Sequence, residues 1–109
     1  MFQVAIDFSL FTSEAGAYAV IHGKLVLEMV PMIGDHIQFL PQSCRDPPPA
    51  VGGYSGLLRV TGRVISTNSK GIAAALELED VQVSNLTQAE ALAQYLSTGF
   101  GFFVDKHDP

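Results

Sequence analysis

The chain has little charge and a single cysteine, and each shortage removes a class of function. Charged residues make up 16% of its 109 positions, against a usual share of about 25%. The six basic residues, Lys24, Arg45, Arg59, Arg63, Lys70 and Lys106, are dispersed within a net charge of -5. No basic stripe exists to neutralise a phosphate backbone or an anionic bilayer, so neither nucleic acid nor a membrane surface is expected as a partner. With Cys44 as the only cysteine, an intrachain disulfide is impossible, and a reducing cytoplasm is the expected setting. Long hydrophobic runs are missing too. The stretch from Leu25 to Ile33 is interrupted by Glu28 and Pro31 and is too short to span a bilayer. Met1 to Leu10 lacks a basic leader and carries Asp7 within its apolar pattern, unlike a secretion signal.

What is abundant is apolar surface, at 48% of residues. A chain of this length fits one compact domain over 1–109 and buries roughly two thirds of its extended-state surface on folding. The excess of apolar over charged side chains points to an oligomer or an exposed binding surface.

Strand patterning dominates. Phe2, Val4, Ile6, Phe8 and Leu10 alternate with polar or small residues, the period of a strand with one buried face. From Tyr18 the apolar positions are first Tyr18 and Val20, then Leu25, Leu27 and Met29. The change of parity at Gly23 predicts a bulged or bent strand there, with a two-residue turn as the alternative. Pro31 and Gly34-Asp35 end that strand and reverse the chain into His36 to Leu40, with Ile37 and Phe39 inward. Residues 41–56 hold four prolines and three glycines and read as a proline-rich surface loop.

A long hairpin follows, with Leu58, Val60 and Val64 facing Leu76 and Leu78 across the turn at residues 67–71. That register sets Arg59 opposite Glu79 and Arg63 diagonal to Glu77. A second parity change, from Leu76 and Leu78 to Val81 and Val83, predicts a β-bulge at Glu79-Asp80. Thr87 with Glu90 spells a capping box for a helix ending near Thr98, with Gly99 as its left-handed stop. The expected fold is therefore α+β: a small, strongly bent antiparallel sheet or barrel of five to six strands, with one C-terminal helix over its open side.

Chemistry is sparsely signalled. His22, Glu28, Asp35 and His36 are the polar residues with the means to gather at a pocket, because histidines and carboxylates from neighbouring strands serve as acid, base or ligand. No two of them share the close spacing of a metal motif, so no metal, cofactor or catalytic residue is assigned. Asp35 after Gly34 reads first as a turn cap. Cys44 beside Arg45 reads as a loop cysteine, lacking any assignable histidine partner. Gly52-Gly53-Tyr54-Ser55-Gly56 lacks the lysine and following helix of a phosphate loop.

Pro48, Tyr54, Phe100, Phe102 and Phe103 are the candidate partner contacts. The function these residues favour is a non-catalytic binding or assembly module using an apolar surface as a homodimer, with a protein or small molecule as further partner. The alternative is a small enzyme or ligand carrier whose pocket lies between the curved sheet and the helix.

Overall fold

A computed structural model describes residues 1–39, 52–67 and 70–107. The proline run, with Pro48 and Cys44, and the tip of the hairpin at 68–69 lie outside the described residues. Seven strands and one helix follow in the order β1 (Phe2–Thr12), β2 (Gly16–Leu27), β3 (His36–Gln38), β4 (Leu57–Val64), β5 (Ile72–Leu78), β6 (Val81–Val83), α1 (Leu86–Phe100) and β7 (Phe103–Lys106). They form one mixed sheet ordered β3-β4-β5-β1-β2-β7, with β6 continuing beside β1 beyond β5. The sheet bends strongly and is not closed into a barrel.

β1 is the central strand, and its alternating sequence explains why. Val4, Ile6, Phe8 and Leu10 are buried on the inner face, while Ala5, Asp7 and Ser9 face outward. It turns into β2 through a tight loop in which Thr12 Oγ1 accepts a hydrogen bond from the Ala15 amide at 2.9 Å and Gly16 takes φ +79°, a left-handed value that glycine adopts without a Cβ clash. This connection is a hairpin turn with no helical element.

Several features differ from the sequence expectation, first in the sheet, which has seven strands and not five to six. The centre of the sheet is parallel, because β1 pairs with both β5 and β6 in the same direction. The pairings of β2, β4 and β7 are antiparallel. Second, Gly23 is no irregularity: the β1–β2 register runs unbroken from Phe2↔Leu27 to Leu10↔Ala19. The inward residues of β2 are Ala19 and Ile21, followed by Gly23, Leu25 and Leu27. The extra residue is Tyr18, since Leu10 pairs with Ala19 but Phe11 with Ala17. Bulkiness at Tyr18 and Val20 masked the true inward set. Gly23 is small for another reason, as a Cβ there would meet Phe102 Cδ1 at 2.5 Å.

The bend expected at Glu79-Asp80 is present. Asp7 to Leu10 on β1 is three steps, whereas their partners Glu77 and Val81 are four steps apart, leaving one extra residue on the outer strand. Two further extra residues, Ala73 against β1 and Thr61 against β5, add local twist. Thr61 also shifts the hairpin charges. Arg59 still lies beside Glu79, but through its amide, which donates to Glu79 Oε2 at 2.7 Å, while Arg63 falls opposite Leu76.

The helix starts two residues earlier than the capping-box reading. Asn85 accepts from the Gln88 amide at 3.0 Å as the N-cap, and Gln88 Oε1 accepts from the Ser84 amide, one residue before the cap, at 3.1 Å. Gly101, at φ +71°, ends the helix in place of Gly99. Ala89, Leu92, Ala93 and Leu96 form the stripe that packs on the inner sheet face. None of the helices among the described residues is long and apolar enough to cross a membrane.

Candidate functional site

Among the described residues the bent sheet leaves an opening on its outer face and another at an edge. The outer trough encloses roughly 640 Å³ and exists because outward positions at the centre are small. Ala5 pairs with Ala75 on β5 and with Lys24 on β2. Gly62 lies over Glu77, where a Cβ would press on the Glu77 Cβ at 3.2 Å. Longer side chains, Val64, Lys24 and Phe103, complete the lining.

Asp7 sits at the middle of this trough, flanked by Glu77 on one strand and His22 on the other. His22 is the best-fixed polar group present. Its Nε2 lies 2.9 Å from Asp105 Oδ2, and its ring stacks on Phe103 with centroids 5.4 Å apart. One ring nitrogen is thereby occupied. Among the described residues no hydroxyl or thiol nucleophile lines the trough. Among the described residues no cluster of three or more histidine, cysteine or acidic side chains is arranged to hold a metal.

The second opening is a slot of roughly 440 Å³ between the far half of β2 and the edge strand β3, meeting the helix end at Gly99 and Phe100. It follows from a length mismatch. β7 covers β2 only from Ala19 to His22, so the edge from Gly23 to Leu27 has no strand beside it among the described residues.

The four sequence-derived polar candidates are dispersed. His22 lines the outer trough. Glu28 is exposed just beyond the end of β2, and His36 is exposed on β3 opposite Arg59. Asp35 accepts from the Met32 amide at 2.8 Å and its carbonyl accepts from the Val60 amide at 2.8 Å, which is a turn-locking role. Neither opening brings two of these four together.

The aromatic candidates divide as well. Phe102 is 2% exposed and fills the core. Phe100 stacks on Phe102 at 5.4 Å and meets Phe39 edge-on at 5.6 Å. Phe103, 65% exposed, is the one of the three presented to solvent. Tyr54 is half-buried against the core, with its hydroxyl enclosed and without a hydrogen-bond partner among the described residues. Burial pushes its phenol up to about 12, with a smaller push from Tyr95. Beside it, Gly53 at φ +95° lies so close to the Gln82 carbonyl that a Cβ would collide with it.

Both openings were hidden in the sequence because each depends on strand neighbours distant along the chain. The available signal was the smallness of Ala5, Ala75 and Gly62 at positions of outward parity. No protein-family model matches the chain, and no curated protein or solved structure shows detectable similarity to it.

Proposed function

We propose that this chain is a non-catalytic binding and assembly module that acts as a homodimer in a reducing cytoplasm. The observation that carries the reading is an imbalance between the two sides of the sheet. The helix covers the inner face, whereas the outer face and the uncovered edge keep large apolar side chains in water: Val26 at 57%, Val64 at 64% and Phe103 at 65% exposure. Apolar surface left outside a complete core is the usual mark of a contact surface. Two-fold dimers are the commonest way for one chain to bury such a surface. Sedimentation velocity over a wide concentration range tests this reading, with a concentration-dependent dimer expected. A strict monomer at the highest concentration overturns the assembly part.

A second reading, a small-ligand carrier or small enzyme, is favoured by the trough beside the oriented His22. A ligand that binds only the folded form raises its unfolding temperature. A polar metabolite that stabilises the wild-type chain but not His22→Ala would support this reading. A flat response across a metabolite and metal panel would remove it.

A further inference from the structure

The uncovered edge of β2 carries a sequence that is complementary to itself. Lys24-Leu25-Val26-Leu27-Glu28 reads as cation, leucine, valine, leucine, anion. It is symmetric about Val26 in size and antisymmetric in charge. Among the described residues its backbone has a strand neighbour on one side only, since β1 pairs with Lys24 to Leu27 and β7 stops at His22. An edge with free amides and carbonyls is a template for another strand.

We propose that two copies of this chain join edge to edge through this segment, as antiparallel strands related by a two-fold axis passing through Val26. The inference rests on the homodimer reading above and assigns its interface. In that register Lys24 faces Glu28 of the second copy, Leu25 faces its Leu27, and Val26 faces its counterpart. The exchange then repeats in the opposite sense, as an isologous contact requires.

Parity fits on both faces. Lys24, Val26 and Glu28 are exposed, so the two ion pairs flank a valine pair on the outer side. Leu25 and Leu27 are partly buried against the core, and their copies would extend that apolar layer. Opposite charges directly across a strand pair stabilise it, and like charges there oppose it. Among the described residues neither Lys24 nor Glu28 is engaged in an ion pair within its own chain, the one such pair being His22 with Asp105. A shift by one residue along the edge would set Lys24 against Leu27 and leave both charges unmatched, so the charges select the register.

Charge reversal tests the geometry on the full chain. Lys24→Glu sets two carboxylates against Glu28 at both ends of the contact, and Glu28→Lys sets ammonium against ammonium. Each variant alone is expected to raise the dimer dissociation constant at least about tenfold, with circular dichroism and unfolding temperature unchanged at low concentration. An equimolar mixture of the two restores opposite charges at both ends and is expected to recover the dimer as a heterodimer. In a Cys44→Ser background, Val26→Cys is expected to form an interchain disulfide on mild oxidation, since directly paired antiparallel residues lie within the Cα range a disulfide spans.

A wild-type dimer indifferent to both reversals, or a mixture that fails to recover, overturns this interface and leaves the homodimer reading intact. A wild-type chain that stays monomeric overturns both.

Discussion

The two halves of β2 are built from similar residues and lead different lives. From Ala19 to His22 the strand is paired on both sides, to β1 and to β7, with Ala19 and Ile21 fully buried. From Gly23 to Leu27 it is paired, among the described residues, with β1 alone, and Val26 stands in solvent. The difference originates at Gly101, whose left-handed backbone stops the helix and delivers the chain to β7 level with His22. A boundary at the C-terminus thus decides how much of an N-terminal strand is available to a partner.

Substitution should resolve the halves sharply. The largest effect is expected at Ile21→Ala in the enclosed half, which should lose about 2–5 kcal/mol of stability in urea unfolding, as deletion of a packed branched side chain does. Val26→Ala in the free half should fall within about 0.5 kcal/mol on the monomer, its effect being confined to association. A comparable loss at the two sites would mean that the free half is also enclosed.

Next in size is Gly23→Ala, at the junction. The methyl group would meet the Phe102 ring, which is itself held by the core, and overpacking of this kind costs about 1–3 kcal/mol. Phe102→Leu in the same chain should recover part of that loss, which thermal unfolding would read.

Tyr54 offers a pH-dependent contrast away from β2. Its phenol is raised from 10.0 to about 12 in the folded chain by burial, so the native state keeps a proton that the unfolded chain releases first. Stability from this group is complete below pH 10 and declines as pH rises towards 12. Tyr54→Phe should flatten that part of the urea-midpoint profile. It also removes an enclosed hydroxyl that has no partner among the described residues, so stability at neutral pH should hold or rise.

The smallest effect is expected at Asp105→Asn. It weakens an exposed contact to His22 and should change stability by less than about 1 kcal/mol. The nitrogen chemical shifts of the His22 ring would report its loss of orientation.

Legibility in the sequence followed the range of the interactions involved. The burial of Val4, Ile6, Phe8 and Leu10 was readable because alternation is local, and the Glu79-Asp80 bulge was readable because Leu76, Leu78, Val81 and Val83 on both sides of it are all inward. The inward set of β2 was not, since a tyrosine at a bulge looks like a core residue until its pairing with β1 is known. Asn85 lost to Thr87 in the capping pattern because both are good caps and packing of Ala89 and Leu92 chose between them. The trough and slot arise from which strands become neighbours, and no short window contains that information. The four polar candidates were grouped by residue type, whereas the sheet distributes them over a face, a strand end, a turn and an edge.

The parallel pairing at the centre has a kinetic consequence. The β1–β2 and β4–β5 hairpins close through short connections, but joining them requires Gln3 to find Ile72 and Asp7 to find Glu77. Encounters between segments this distant set slow folding rates, on the order of milliseconds to seconds for small domains. Until that zipper closes, β1 and β5 each show a bare hydrogen-bonding rim to every other nascent chain nearby. Refolding yield should therefore fall with protein concentration more steeply than a helical bundle of equal length would show.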